Sequence, residues 1–382
     1  AMAGCLETMS SNSAPIVSFT ISPSGTVKVG DSVTFDASAT RDPNNDQMTF
    51  EWNFGDDNTQ EGIGLSSVSH TYNAEGAKTV TLTVTDSGDM ASIETKNIFV
   101  ASADAALPTA SIAYYKDDDC TGEDAPAGTF ILAWICEEEM ETNDDVVDAM
   151  TTIQLDGSDS AAGDSSSYLN DYEWDLDINV DSDGDGDTAN DVDKTGETAE
   201  WTNVWPGEYE IRLTVIDNQG FIDTTDMDVF VNYRGVWAEF TIDGDQDGNG
   251  TQSSSIITFE FPVTYNSDTG NTIRYAKIQF TYPQQDDDWA IGGDQSSNEL
   301  DVYVYNGSQS DSDTEEVENS TYLEDNQRTA GDCDEEEDRC VDLRLSTTHF
   351  RNHLDGQWTV DLINEKWHDT TVKSFVIILE YK

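Results

Sequence analysis

Carboxylates alternate with spacer residues at three places along this chain. Asp42-Pro43-Asn44-Asn45-Asp46, Asp181-Ser182-Asp183-Gly184-Asp185-Gly186-Asp187 and Asp243-Gly244-Asp245-Gln246-Asp247-Gly248 each put oxygen side chains on every second residue. A hard divalent cation takes six to eight oxygen ligands, and a glycine inside such a loop lets the chain turn back on itself. The expected cofactor is therefore Ca2+. Its ligands are expected from Asp181, Asp183, Asp185 and Asp187, with Asp175 and Asp177 contributing from the preceding strand. A second set is Asp243, Asp245 and Asp247, and a third, carrying less charge, is Asp42, Asn44 and Asp46. An EF-hand is not expected, because position twelve counted from Asp181 is Val192, with Asp191 and Asp193 beside it, where a bidentate Glu would be needed. The competing reading is a solvated acidic turn, which this composition makes common.

Catalytic chemistry finds little footing. His349 and His353 stand four residues apart, but Phe350 occupies the place where a zinc protease needs Glu, so these are read as structural histidines. Carboxylates are so abundant that no pair stands out as a glycosidase acid and nucleophile. No nucleophile elbow or phosphate-binding glycine loop is present. The chain is read as non-enzymatic.

Acids outnumber bases 78 to 17 over 382 residues, a formal charge of −61. On a compact surface those uncompensated charges lie on the order of 15 Å apart, and molar salt, with a Debye length of about 3 Å, removes most of their repulsion. A halophilic source, an archaeon among the candidates, or a calcium-rich exterior is expected. Nucleic acid is excluded as a partner, and an anionic membrane can be approached only through an attached lipid. Cys120 with Cys136, and Cys333 with Cys340, read as short local disulfides, since CxxC-like zinc spacing is absent. Disulfides point to an oxidising, extracellular location. Met2-Ala3-Gly4-Cys5 resembles the end of a lipoprotein signal, which makes Cys5 a candidate for lipidation; the alternative is an ordinary thiol near the N-terminus. Sequons at Asn249, Asn306 and Asn319 suit surface glycans.

The elements that must hold these loops are strands. Val33-Thr34-Phe35, Thr49–Phe54 and Val80–Thr85 alternate with period two and are separated by turn residues, the signature of an antiparallel sandwich. Val33-Thr34-Phe35-Asp36-Ala37-Ser38, Asp42-Pro43, Phe50-Glu51-Trp52-Asn53-Phe54-Gly55-Asp56, His70-Thr71-Tyr72, Gly76 and Val80–Asp86 together resemble a PKD domain, in family order, over residues 14–101. The resemblance implies an immunoglobulin-like sandwich of the kind found in surface proteins and in appendages of secreted hydrolases. Asn53 departs from it, standing where the family usually has Asp. A diverged second copy is expected at 108–233, carried by Ile153–Ser158, Tyr172–Asp177 and Gly207–Asp217, with a cysteine-bracketed insertion and the Asp/Gly loop added. Residues 235–382 read as a larger, jelly-roll-like β-sandwich whose Gly356–Leu362 and Val372–Leu379 segments resemble the last strands of the P domain of subtilisin-like proprotein convertases. Residues 1–13 form a polar N-terminal arm.

The fold class is thus all-β: tandem PKD-like sandwiches followed by a larger one. Arrays of this kind mostly space, display or stick. The expected function is a calcium-stiffened structural or adhesive protein of the cell surface, partnering other surface proteins or glycans, or itself head to tail in a filament through the 1–13 arm by β-augmentation. The alternative is a polysaccharide- or peptide-binding module accessory to a secreted hydrolase, with Trp289, Trp367 and the Tyr303/Tyr305 pair as the stacking surface.

Overall fold

In a computed structural model, the structure describes residues 12–184, 186–244, 256–266, 270–285, 298–306, 315–316, 333, 335–352, 356–364, 366 and 368–382. Among them the architecture is all-β apart from one short helix, Thr347–Asn352. No helix among the described residues is long and apolar enough to cross a membrane.

The first sandwich packs a three-stranded sheet (Thr20–Ser22, Ser32–Asp36, Ser67–Thr71) on a five-stranded one. The larger sheet orders Val27–Lys28, Ala91–Ala101, Gly76–Asp86, Met48–Asn53 and Thr59–Ile63. Alternation decides the faces: Val80, Leu82 and Val84 are buried while their neighbours are not. These side chains close with Phe35, Phe50 and Phe54 around Trp52, whose ring meets Phe19 edge-on at 5.1 Å. The Trp52 indole N–H donates to the Leu65 carbonyl at 2.9 Å, so the buried ring leaves no unpaired donor. Of the expected 1–13 arm only the last two residues are described, and they rest on their own sandwich. Asn12 Nδ2 donates to Asp86 Oδ2 at 2.9 Å, and the Ser13 amide donates to Asn44 Oδ1 at 2.8 Å.

The second strand set repeats much of this plan. Trp174 is opposite Leu213 as Trp52 is opposite Leu82, and its indole N–H donates to the Gly196 carbonyl at 2.9 Å. Ile211, Leu213 and Val215 are fully buried, as their counterparts are. Asp86 and Asp217 close the matching hairpins alike, each accepting two backbone amides two and four residues onward.

The expected boundary between 108–233 and 235–382 does not divide the molecule. Ile222–Trp237 is one unbroken strand across it, pairing with Gly207–Asp217 over its first part and with Ser374–Glu380 from Tyr233 to Trp237. The sheet continues through Tyr275–Pro283 to Asp338–Ser346, and one hydrophobic core runs from Ala110 to Tyr381. The second layer of the C-terminal sandwich is Ile256–Val263, Gly356–Asn364 and Leu300–Asn306, with Glu315–Glu316 at its edge. The cysteine-bracketed segment is part of this body rather than a surface insertion. Its strand Ile131–Met140 pairs in parallel with Ile222–Trp237, and the Trp237 indole N–H donates to the Asp144 carbonyl at 2.9 Å. Both expected disulfides are formed, Cys120–Cys136 and Cys333–Cys340.

The first sandwich docks on this larger body through main-chain contacts. The Thr26 amide donates to the Ile222 carbonyl, and the Ile222 amide donates to Thr26 Oγ1, both at 2.8 Å. Gly25 permits the approach: it has φ +87°, and a Cβ there would stand 2.7 Å from the Ile222 oxygen.

Candidate metal centre

The loop that follows the tryptophan strand Leu169–Asp175 gathers the acidic groups. It leaves the sheet at Asp175, folds back through Gly184 and Gly186, both with positive φ, and returns to Asp193, whose amide donates to the Trp174 carbonyl at 2.9 Å. Most of its carboxylates hold the loop's own backbone. Asp181 accepts from the amides of Gly184 and Gly186, at 2.6 and 3.0 Å. Asp193 accepts from the Leu176 amide and the Ser182 hydroxyl, both at 2.9 Å. Asp177 accepts from the Asn179 amide at 3.2 Å.

Two carboxylates are buried with an oxygen left over. Asp175 and Asp191 are each 3% exposed. Asp175 Oδ1 accepts from the Asp177 amide and Asp191 Oδ2 from the Ser182 amide, while Asp175 Oδ2 and Asp191 Oδ1 have no partner. Burial pushes the Asp175 carboxyl up to about 7, the negative charges of Asp193 and Asp191 adding to the effect. Asp177 is raised for the same first reason, with Asp193 contributing. The positive charge of Arg212 opposes this. Its guanidinium, however, is committed bidentately to Asp226, at 2.7 and 2.9 Å, and to the Ala189 carbonyl.

Oxygens of Asp181, Asp183 and Asp191 lie within 4.8 Å of one another, and they are the one such acidic triad among the described residues. Carboxylates packed this closely repel, and a buried carboxylate oxygen without a donor is costly. A divalent cation would answer both at once. The donor set, hard carboxylate oxygens on a glycine-turned loop, fits Ca2+.

Of the expected ligands, Asp181 and Asp183 lie in this triad, and Asp175 and Asp177 lie at the loop's root. Asp187 is drawn elsewhere: its Oδ2 accepts from Lys96 Nζ of the first sandwich at 2.6 Å. Asp185 lies outside the described residues. Asp191 and Asp193 were absent from the expected ligand set, because alternation near Asp181 gives no hint that the loop returns to its own root. The one available signal was the Asp-x-Asp pair at each end, Asp175/Asp177 and Asp191/Asp193.

The other two loops are less gathered. Asp42 Oδ1 accepts from the Asn44 and Asp46 amides at 2.8 Å, and its Oδ2 has no partner, but Asn44 Oδ1 is taken by the Ser13 amide. Asp243 is exposed, and Asp245 and Asp247 lie outside the described residues, as do Cys5, Asn249, Asn319, Trp289 and Trp367 and the side chain of Asn306. Tyr303 and Tyr305 are half-buried and near-parallel, 17° apart with centroids 6.5 Å apart. His70, His349 and His368 each hold local structure, pairing with Asp56, the Ser346 amide and Asn298.

Residues 12–100 match the PKD domain model. That stretch of the chain is a PKD domain. The chain is also 33% identical over 96 residues to a microbial collagenase of Vibrio alginolyticus, a match covering 25% of this chain and 11% of that protein. Among solved structures it is similar to the PKD domain of an M14-like peptidase from a Thermoplasmatales archaeon, at 26% identity over 24% of this chain and 98% of that one, with a TM-score of 0.19. It is similar to the PKD1 domain of Vibrio anguillarum Epp, at 25% identity over 24% of this chain and 99% of that one, TM-score 0.20. A structure of carbohydrate-binding modules from the β-sandwich superfamily aligns with 97% of this chain and 98% of its own, at 14% identity and TM-score 0.23. Scores this low carry no functional weight.

Proposed function

We propose that this chain is a non-catalytic extracellular structural or adhesive protein, a rod of two tandem PKD-like sandwiches and a fused C-terminal sandwich with P-domain-like final strands, stiffened by Ca2+. It would stand on the cell surface, anchored through a lipid or assembled into a filament. The observation that carries the reading is the pair Asp175 and Asp191: two buried carboxylates of one loop, each with an unpartnered oxygen, Asp191 being itself part of the acidic triad with Asp181 and Asp183. Asp175, Asp177, Asp181, Asp183 and Asp191 would hold the ion. The tie from Lys96 to Asp187 would pass the loop's rigidity to the first sandwich. Two disulfides agree with an oxidising exterior. Thermal melting with and without a calcium chelator, at low and at high salt, tests it. A midpoint that rises with Ca2+ at both salt concentrations is expected, and a midpoint indifferent to chelation removes the reading.

A second reading is a polysaccharide- or peptide-binding module accessory to a secreted hydrolase. It is favoured by the similarity of part of the chain to part of a microbial collagenase and by the near-parallel Tyr303/Tyr305 pair. Pull-down on insoluble collagen and on polysaccharides separates it from the first.

A further inference from the structure

In so acidic a chain, the cations are unevenly placed. Arg234, Arg274, Lys277, Arg344 and Lys382, out of 17 lysines and arginines in all, collect on the outer face of the sheet shared by the second and third sandwiches. Three of them surround one ring. Arg344 lies 4.1 Å, Lys277 5.2 Å and Arg274 5.7 Å from the centroid of Tyr275, which is itself 8% exposed. Lys277 and Arg344 are directly opposite each other on adjacent antiparallel strands, and Arg234 and Lys277 flank the same residue, Ile378, from either side. Like charges placed opposite one another destabilise a sheet. Here they do so although acids are plentiful elsewhere. Arg274 pairs with Glu380 at 3.2 Å and Arg234 with Glu138 at 2.5 Å, whereas Lys277 and Arg344 have no carboxylate within ion-pair distance among the described residues.

Arg234, Arg274, Lys277 and Lys382, with Glu380 among them, line one wall of a cleft of about 310 Å³, a size suited to a small ligand, while Arg344 stands outside the lining, over the Tyr275 ring. The opposite wall is the segment Asp119–Pro126, pinned by Cys120–Cys136 and by Lys116 Nζ donating to the carbonyls of Pro126 and Gly128. That wall carries Asp119, Glu123 and Asp124, and half-buried Trp134 joins the lining. A phosphate dianion would meet those carboxylates. A ligand with one carboxylate and several hydroxyls would satisfy both walls: ammonium and guanidinium groups take the carboxylate, and the aspartates accept from the hydroxyls.

We propose that this cleft binds a sugar acid, a uronate residue of an acidic glycan, with its carboxylate on Lys277 and the neighbouring guanidinium groups, its hydroxyls donating to Asp119 and Asp124, and its ring face against Trp134. The site is independent of the acidic loop and of whatever ion that loop holds.

The test is calorimetric titration of the full chain with trigalacturonate, in buffer without added divalent cation, against the fully methyl-esterified trimer and triglycine. Saturable binding of the free acid is expected, with the ester and triglycine at least tenfold weaker. Lys277→Gln should weaken binding at least tenfold while leaving the thermal midpoint unchanged or higher, since it relieves the like-charge pair with Arg344; Arg344→Gln, outside the lining, should relieve the same pair and weaken binding less. That second readout separates a lost site from a lost fold. The proposal is overturned if the free acid fails to saturate at millimolar concentration, if the ester or triglycine binds as well, or if Lys277→Gln binds as the parent does.

Discussion

After Trp52 the first sandwich turns through Asn53-Phe54-Gly55-Asp56; after Trp174 the second runs Asp175-Leu176-Asp177 into the acidic loop. The first corner closes on itself. Phe54 stacks on His70 at 4.3 Å, His70 Nε2 pairs with Asp56 at 2.8 Å, and the Tyr72 hydroxyl donates to the Phe54 carbonyl at 3.0 Å. The acid is met by an imidazole from the facing three-stranded sheet, and Asn53, which follows Trp52 as Asp175 follows Trp174, brings no charge. At the second corner the acid is buried, Arg212 is spent on Asp226, and two carboxylate oxygens remain unpaired. One corner is paired within the chain, and the other leaves buried carboxylate oxygens that the proposed cation would take up. At the position after the tryptophan, the first corner thus carries a neutral amide and the second a buried carboxylate.

This contrast breaks first under chelation. An ion present at a hundred times its Kd stabilises by about 2.7 kcal/mol, which for a body of this size shifts its midpoint by roughly 5–10 °C. Calorimetry should show that shift in the transition of the fused body and not in that of the PKD domain. Asp175→Asn should abolish most of the calcium response and, without calcium, raise the midpoint, because it removes a buried charge. A variant that melts lower in both conditions would show Asp175 to be ordinary packing. Next in size, His70→Ala leaves Asp56 without its partner and should cost the first sandwich about 1–3 kcal/mol, read by urea unfolding of the full chain, with the calcium response intact.

The two corners should also answer pH in opposite directions when calcium is absent. Burial raises the Asp175 carboxyl to about 7, so between about pH 4 and 7 the folded state holds the proton that the unfolded state has lost. Its contribution is fully present at acid pH and is lost as pH rises through that window. At Asp56 burial is outweighed by hydrogen bonds from His70 and Asn58, and the carboxyl is held below its usual value. Its contribution is present above about pH 4 and is lost as pH falls further. Melting from pH 3 to 8 in chelator should therefore weaken the fused body toward neutrality and the PKD domain toward acid. Parallel profiles would overturn the contrast.

Much of this was legible in the residues. Val80, Leu82 and Val84, and again Ile211, Leu213 and Val215, declare their strands by alternation, and the structure buries all six. Cys120–Cys136 and Cys333–Cys340 followed from closeness in sequence. The shared sheet did not. Nothing in Ile222–Trp237 marks Ser374–Glu380 as its neighbour, because register between strands far apart in sequence is set by core packing and carries no local sign. The acidic loop was half legible: alternation flagged Asp181 and Asp183, while Asp191 entered through a turn at two positive-φ glycines, and Asp187 left through a lysine in another sandwich.

That lysine sets the smallest and sharpest effect. Lys96 Nζ is 2.6 Å from Asp187 and 3.9 Å from Glu94, all three partly exposed. Half-exposed pairs contribute about 1 kcal/mol or less, so Lys96→Met should barely move either melting transition. Its effect belongs to geometry. Other ties between the sandwiches among the described residues include the Thr26–Ile222 contacts, the Ser24–Thr224 hydroxyl pair at 2.5 Å and the tilted Phe99–Phe221 rings, all near one hairpin. If the loop holds calcium as proposed, removing Lys96 should free the first sandwich to pivot about that hairpin and uncouple it from the ion. Small-angle scattering should then find the parent chain stiffer with calcium than without, and the Lys96→Met chain equally loose in both. If the variant stiffens as the parent does, any bound ion acts within its own sandwich alone, and the tie to Asp187 is a surface ion pair with no part in holding the two sandwiches together.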